Sequence, residues 1–334
     1  MSVRRVAALA AIALVLAGLG YCAYWFHAAA GLRKGIEAWA ENRRAENWIV
    51  GWDSLSVDGF PLSLTLTMES PAVTTPDGRS WQVGHLVAVA SPLTPNRFTL
   101  DMSGRHHLGW STGAATVDSE RMQVAVTLDR HGRTQELTLV ASEVDWADED
   151  GIRLEAGTLA ATWATTTQDP GGDINFSVAA QDIHWPTMPT LPLEPRIRLM
   201  ETQGRLVHGL PETLSAEAVA GWSADGGMVE LEHLTLDWAP LALEAQGTLS
   251  LGPDGQPRAT LSTRMRGIAP LMDRLADNGV LPADTAQSAK IVLMLMSRPD
   301  SQGRPAVPVP VSLQDGEVYL GSARVAQLPP VKWP

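Results

Sequence analysis

The residues of this chain that could do chemistry are few, and their spacing suits no common site. His106 and His107 are adjacent, and neighbouring residues of a strand point to opposite faces, so they cannot easily share a metal ion. Further histidines are scattered without ligand spacing, at His85, His131, His184, His208 and His233. The sequence therefore predicts no metal site.

An acidic cluster invites a calcium interpretation. Asp145, Asp148, Glu149 and Asp150 lie close together, but calcium loops alternate oxygen ligands with spacers and place a bidentate Glu at a fixed distance. Here the acids are nearly contiguous and lead into Gly151. This pattern is typical of a solvated hairpin turn.

Nucleophiles lack a recognisable setting. There is no Gly-x-Ser-x-Gly elbow, and Ser288 and Lys290 lack the spacing of a Ser-x-x-Lys pair. No phosphate-binding glycine loop follows a strand and opens a helix. We therefore predict that the protein is not an enzyme and has no catalytic residues and no cofactor. Two carboxylates distant in the sequence could still meet in the folded protein and form a catalytic pair. An envelope hydrolase is therefore a third hypothesis.

Charge and cysteine content exclude further classes. The formal net charge is −12, and a nucleic-acid-binding protein would need a basic stripe, so no nucleic-acid partner is predicted. Cys22 is the single cysteine, which leaves the rest of the chain without a disulfide or a zinc-thiolate site. A lipoprotein signal is the alternative role of Cys22, but the bulky Tyr21 before it fits that signal poorly.

Residues 6–26 predict a transmembrane anchor. They form an uncharged run that spans a hydrocarbon core of about 30 Å at about 1.5 Å per residue. Arg4 and Arg5 precede it, which keeps residues 1–5 in the cytoplasm and places the rest in the periplasm as a single-pass inner-membrane protein.

The far end of the run carries Tyr21, Tyr24, Trp25 and Phe26, as an interfacial aromatic belt would. The alternative is a cleaved signal peptide, because small residues follow at Ala28, Ala29 and Ala30. The length of the run and its aromatic end favour a retained anchor.

Residues 27–47 predict a juxtamembrane helix, since Leu32, Ile36 and Trp39 recur at helical spacing within Gly31–Asn47. From Trp48 the period changes to two, which predicts that residues 48–334 form a β-rich domain. Alternating runs predict strands at Leu62–Met68, Val83–Val89, Met122–Leu128, Leu137–Val144, Leu154–Trp163, Ile197–Val207, Val229–Trp238, Leu241–Leu251 and Ala259–Met265.

Tight turns connect these runs. Asp-Gly pairs, a strong hairpin signal, occur at Asp77, Asp150, Asp225, Asp254 and Asp315. The predicted fold class is mainly β (β-rich α+β), a long curved antiparallel meander that could form a groove.

Smaller features complete the predicted architecture. The proline-rich stretch 181–195 is a candidate junction between two halves of the β-rich domain. A short helix is predicted at Ile268–Asn278, and short strands at Val318–Leu320 and Ala323–Ala326.

Tryptophan is unusually frequent. The chain has 12 Trp against four Phe, and Trp suits both a twisted core and a groove that holds an acyl chain or a glycan. Both interpretations stay open for Trp39, Trp48, Trp52, Trp81, Trp110, Trp146, Trp163, Trp185, Trp222, Trp238 and Trp333.

Two stretches carry a resemblance to a known family. Trp48–Val57 leads into Asp58-Gly59-Phe60-Pro61, and Asp315-Gly316-Glu317-Val318-Tyr319-Leu320-Gly321 precedes Leu328-Pro329-Pro330-Val331-Lys332-Trp333. With the anchor, they resemble an uncharacterised Gram-negative family of membrane-anchored periplasmic proteins, domain-of-unknown-function family 2125, over nearly the whole chain.

A weaker resemblance is to AsmA-type envelope proteins, through the strand–Gly–strand pattern of Leu241–Gln246, Gly247 and Thr248–Leu251. That likeness implies a grooved sheet with an apolar inside, associated with lipid transport between membranes. Neither resemblance brings catalytic residues.

Two main functional hypotheses follow. The first is a non-enzymatic, anchored periplasmic protein that binds lipid or assists cell-envelope assembly through an apolar groove. Its predicted lining residues are Leu62, Leu64, Leu66, Leu241, Leu243 and Leu249. The second is a periplasmic structural or interaction scaffold without a ligand, whose protein partner the sequence does not identify.

Overall fold

A computed structural model describes residues 3–166, 171–186, 193–211, 215–252, 254–279, 282–299, 303–321, 323–331 and 333. The chain divides into two compact units. Unit 1 comprises residues 1–133 and 147–150, and unit 2 comprises residues 134–146 and 151–334. The predicted fold class is confirmed, since the protein is mainly β with a large, open antiparallel sheet and an N-terminal apolar helix.

Helix α1, Val3–Ala45, is unbroken. It therefore contains both the predicted anchor and most of the predicted juxtamembrane helix. Residues 11–20 are exposed along their whole length, and the helix is long and apolar enough to cross a membrane. From Tyr21 onwards the helix packs against the sheet of unit 1, as the hydrogen bonds of its aromatic residues show.

Three aromatic residues of α1 donate hydrogen bonds to backbone carbonyls in turns. The Tyr21 hydroxyl donates to Pro61 O, the Tyr24 hydroxyl to Pro92 O at 2.6 Å, and Trp25 Nε1 to Ser63 O at 2.9 Å. Trp25 is also buried in a cluster with Ala29 of α1 and Leu64 of the sheet. The aromatic set read from the sequence as a membrane belt is thus also the surface that joins the helix to the sheet.

Unit 1 contains β1 Ile49–Gly51, β2 Ser54–Asp58, β3 Leu64–Glu69, β4 Ala72–Thr74, β5 Ser80–Val83, β6 His85–Ser91, β7 Thr94–Asp101, β8 Gly104–Trp110 and β9 Gly113–Leu128. Strands β4, β5, β8 and β9 pair in that order beyond β1. A second antiparallel series, alongside the first, is formed by β2, β3, β6, β7 and β9 in that order. Each pair of consecutive short strands therefore acts as one interrupted long strand, and unit 1 is the antiparallel meander that the turn spacing predicts.

Unit 2 contains β10 Thr134–Asp148 (its last two residues count with unit 1), β11 Arg153–Thr165, β12 Ile174–His184, β13 Arg196–Val207, β14 Met228–Trp238, β15 Leu241–Leu251, β16 Pro257–Arg266, β17 Arg298–Pro299, β18 Pro305–Gln314, β19 Glu317–Leu320 and β20 Ala323–Gln327. From β11 to β16 each strand pairs antiparallel with the next. Strand β18 pairs with β16, and β19 and β20 continue the sheet.

In the described part of unit 2, three helices interrupt this second meander: α2 Ala216–Ala224, α3 Ile268–Asp277 and α4 Ala283–Met296. The predicted helix at Ile268–Asn278 is confirmed as α3, and the predicted short strands at 318–320 and 323–326 are confirmed as β19 and β20. In unit 2, helices α2 and α4 and strands β12, β17 and β18 were not predicted.

The proline-rich stretch 181–195 begins as the end of β12, and Trp185 N donates to Pro195 O at 2.9 Å across its base. Residues 187–192 of this stretch lie outside the described part of the chain. The junction between two halves at this place stays a prediction.

Candidate functional site

The most extensive chemical feature of unit 2 is one apolar face of its sheet. Cross-strand neighbours stack side by side on a sheet face, and the pairing registers place apolar residues opposite one another in rows that cross the strands. One row comprises Leu159, Ala180, Met200, Leu236, Leu243, Met265 and Val307. A second comprises Ile174, Leu206, Val229, Leu249, Ala259, Leu313 and Val318. With strands about 4.8 Å apart, each row extends about 29 Å.

A third row lies between these two. It comprises Phe176, Gly204, Leu231, Gly247, Leu261, Val311 and Leu320. Its glycines lie where neighbouring strands approach closely. A Cβ on Gly247, for example, would lie 2.1 Å from Thr260 O of β16. Gly247 also has φ of 155°, which L side chains rarely adopt.

A β-bulge in β14 keeps this face apolar. Leu231 pairs with Gly247 and Leu234 with Ala245, so three steps along β14 match two steps along β15. Side chains alternate between the two faces of a strand, so the extra residue in β14 exchanges the faces that the following side chains occupy. Leu231 and Leu234 therefore share a face although they are three positions apart.

Most large side chains of this face are only half-buried, although Ile174, Leu206 and Val307 are buried. Partly exposed leucines on it are Leu231, Leu234, Leu236, Leu241, Leu243, Leu249, Leu261, Leu313 and Leu320. Leucine inside a two-layer core is normally among the most buried residues. These half-buried leucines therefore present apolar surface that the described helices do not cover, although α2 packs against β15 and α4 against β18.

The opposite face of the same strands is polar. Arg205 Nε donates to Glu230 Oε2 at 3.0 Å, and Arg266 Nη1 donates to Glu244 Oε1 at 2.9 Å. Glu230 raises the pKa of the Arg205 guanidinium above its ordinary value by hydrogen bonding and charge. The two faces of the sheet thus differ: one carries ion pairs, and the other is mainly apolar, with Thr202 and Thr263 beside Leu234 and Ala245.

Comparison with known proteins identifies the family. Residues 25–329 match the family described as "Uncharacterized protein conserved in bacteria (DUF2125)". The chain belongs to this family. No curated protein and no solved structure matches the chain. The resemblance drawn from the two ends of the sequence is therefore confirmed.

The DUF2125 chain divides the six predicted lining residues between its two units. Leu241, Leu243 and Leu249 lie on the apolar face of unit 2, with Leu241 opposite Trp238 and Leu243 opposite Leu236. Leu64 and Leu66 are buried on β3 of unit 1, and Leu64 packs against α1. Leu62 precedes β3 and is 84% exposed. That these residues line a groove stays a prediction.

Sequence reasoning did not single out several members of the apolar face, including Met200, Leu234, Leu236, Met265 and Val307. Strands containing most of them were predicted, but the facing rows depend on registers between strands. In β14 the alternation of apolar and polar residues breaks at Glu232. The three-residue spacing from Leu231 to Leu234, in place of two, is the sequence signal for the bulge.

Tryptophans in this family member lie on the apolar face and also donate hydrogen bonds to carbonyls, and a groove role for them stays a prediction. Trp163 pairs with Phe176 of the third row, and Trp238 pairs with Leu241 on the same apolar face. Several indoles donate to carbonyls, as the core interpretation predicts: Trp222 to Gly209 O at 2.8 Å, Trp238 to Glu194 O at 2.6 Å and Trp333 to Gly255 O at 2.8 Å.

His106, but not His107, makes buried structural contacts. His106 is buried and His107 is exposed, so they point to opposite faces as predicted. His106 Nδ1 accepts from Trp81 Nε1 at 3.1 Å, and its Nε2 lies 2.7 Å from Met102 O. Within the described residues, no three His, Cys, Asp or Glu side chains form a group that could hold a metal ion.

The acidic cluster is a turn in part, because Asp145 and Asp148 lie in β10. Glu149 and Asp150 form the turn that follows β10, and Gly151 has φ of 83°. Positive φ at this position favours glycine, which explains the Asp-Gly dipeptide.

Proposed function

We propose that this DUF2125 protein is a non-enzymatic, inner-membrane-anchored protein of the periplasm that binds lipid hydrocarbon chains and assists cell-envelope assembly. The observation that supports the proposal most is the set of apolar rows across β11–β19, in which most of the leucines remain half-buried. The rows are long, continuous and free of charged side chains, which suits a ligand that is itself a long apolar chain.

The energetics favour hydrocarbon over a polar ligand. Each buried CH₂ contributes about 0.8 kcal/mol, so a chain lying along one row gains several kcal/mol with no hydrogen bond. A polar ligand would lose its water contacts on this face and find few donors or acceptors in return. The curved groove in this proposal is the sheet bent so that its apolar face lines the inside.

The anchor supports the location. Residues 11–20 of α1 are exposed and apolar, and Arg4 and Arg5 before them favour a cytoplasmic N-terminus by the positive-inside rule. Under this orientation both units follow on the periplasmic side, next to a source of lipid.

The test uses the full-length protein in membranes, with the photo-crosslinking residue p-benzoylphenylalanine at Leu243 or at Gln246. Both positions lie on β15, on the apolar and the polar face respectively. Intact-mass spectrometry should find lipid adducts at Leu243 and only background at Gln246. Equal lipid yields at the two positions would contradict lipid binding on this face.

A scaffold that holds a protein partner is the second candidate, and one observation favours it. The last turns of α4 expose Ile291, Val292, Met294, Leu295 and Met296, a short apolar surface suited to a partner helix. Protein adducts at Leu243 in place of lipid, or a partner crosslinked through Leu295, would favour the scaffold.

A further inference from the structure

Two turns of unit 1 lie side by side at one end of its sheet. The first, residues 59–63, joins β2 to β3, and the second, residues 92–93, joins β6 to β7. Leu64 and Ala90, which flank them, are cross-strand partners. We call these two segments the anchor-side turns, because α1 contacts both of them.

The anchor-side turns expose large apolar side chains. Leu62 is 84% exposed, Leu93 77% and Phe60 45%, and the Phe60 ring stacks on Phe26 of α1 at 5.7 Å. Residues 59–63 and 91–95 contain no charged side chain. Apolar surface of this kind on a soluble face would be costly, and it marks a contact with a partner or a membrane.

The helix fixes the depth of these turns relative to a bilayer. About 20 residues of helix cross a hydrocarbon core of about 30 Å. With Arg5 at the cytoplasmic boundary, the opposite boundary falls near Trp25. Trp25 and Tyr21 donate to carbonyls of the first turn, and Tyr24 donates to the second. Both turns are therefore held at the level where the hydrocarbon ends.

The opposite end of the same sheet has a different character. Its turn at residues 75–79 carries an exposed ion pair between Asp77 and Arg79 at 2.7 Å. The two turns that contact α1 are thus apolar, whereas the turn at residues 75–79 is charged. A third turn at the anchor side, residues 129–133, carries an ion pair between Asp129 and Arg133 at 3.0 Å, so the apolar part of this end is the pair of turns beside α1.

From these contacts we infer that the anchor-side turns insert into the interfacial layer of the bilayer that α1 crosses. The partner is the lipid bilayer itself, and Leu62, Leu93 and Phe60 enter the boundary between headgroups and acyl chains. Unit 1 is then fixed on the membrane by the helix and by both turns, rather than tethered by a free stalk. This inference rests on the membrane anchoring in the proposed function.

The test uses the full-length chain with Cys22→Ser and one new cysteine, Leu62→Cys or Leu93→Cys, labelled with the fluorophore NBD. The protein is reconstituted in phosphatidylcholine–phosphatidylglycerol vesicles with or without brominated acyl chains. Bromine quenches only a label within reach of the acyl region. Both labels should lose fluorescence in the brominated vesicles and show blue-shifted emission.

Ile49→Cys is the matched control. Ile49 is 72% exposed in the same unit, but it follows the end of α1, about 30 Å along the helix from Trp25. Its label should keep its fluorescence in brominated vesicles.

Alkaline carbonate extraction distinguishes insertion of the turns from membrane anchoring by α1. If the protein stays in the vesicles and the Leu62 and Leu93 labels are quenched no more than the Ile49 label, the inference is overturned and the anchor stands. Release of the protein by carbonate would overturn the anchoring and the inference together.

Discussion

Trp25 Nε1 donates a hydrogen bond to Ser63 O at 2.9 Å, joining the apolar helix to the turn that leads into β3. The Trp25 ring also meets Phe60 edge-on at 5.4 Å and packs against Leu64. The Trp25 indole therefore makes both a hydrogen bond and apolar contacts between α1 and the start of β3, and Trp25 and Ser63 are 38 positions apart in the chain. The helix and the sheet of unit 1 are expected to respond together when this contact is changed.

Replacing Trp25 tests that coupling. Trp25→Phe keeps an aromatic ring but leaves Ser63 O without its donor, which should lower the free energy of unfolding by about 1 kcal/mol. Trp25→Ala also leaves a cavity and should lower it by about 3–5 kcal/mol. Denaturant unfolding of the full-length protein in detergent measures both.

Trp39→Phe is the control for this series, since Trp39 lies on the same helix and is 45% exposed. Its effect should stay within about 0.5 kcal/mol. Equal effects of Trp25→Phe and Trp39→Phe would show that the Ser63 contact contributes nothing.

His106 should matter for stability and His107 should not. His106→Leu leaves Trp81 Nε1 without its acceptor in a buried site, which costs about 1–3 kcal/mol. His107→Leu changes an exposed neighbour on the other face and should be nearly neutral. Thermal melts of the two variants compare them, and a neutral His106→Leu would count against a structural role for His106.

Gly247 should not tolerate a side chain. A Cβ there would lie 2.1 Å from Thr260 O and 2.9 Å from Leu261 Cα, so Gly247→Ala must displace β15 from β16. We expect a loss of at least about 1–3 kcal/mol, together with weaker lipid crosslinking at Leu243.

Gly221→Ala is the contrasting substitution. Gly221 lies inside α2 with open space around it, so alanine should stabilise the protein by up to about 1 kcal/mol. If the two glycine variants melted alike, the close approach of β15 and β16 would not limit position 247.

Asp77 should give unit 1 an acid-sensitive contribution to stability. Hydrogen bonds from Thr75 and Arg79 lower the pKa of its carboxyl from 3.8 to about 2. Because the folded-state pKa is depressed, the contribution is complete above the unfolded value of 3.8 and disappears as the pH falls through about 2.

Asp77→Asn measures this contribution by difference. The variant should melt below the wild-type protein at pH 6, and the gap should close as the pH approaches 2. The gap reports Asp77 alone, because other titrating groups are common to both proteins. A gap that stays constant down to pH 2 would contradict the assignment.

Local patterns in the sequence were sufficient for the class of the fold. Two-residue alternation predicted β13, β14, β15 and β16 near their observed bounds, and the helical spacing at Ile268–Asn278 predicted α3. These features depend on neighbours within a few residues. Helix α4 escaped prediction because its uninterrupted apolar run from Ile291 to Met296 has no helical period.

The sequence by itself determined an apolar N-terminal helix, a strand-rich remainder and membership of its family. Only the tertiary structure decided that Leu236, Leu243 and Met265 form one row and that the aromatics of α1 bind turns of the sheet. The physical reason is that a row is set by register between strands distant in the chain, and one bulge at Glu232 reverses which face a leucine occupies. Alternation of apolar and polar residues within a strand shows that the strand has an apolar face. The pairing between strands determines which residues of other strands lie beside that face.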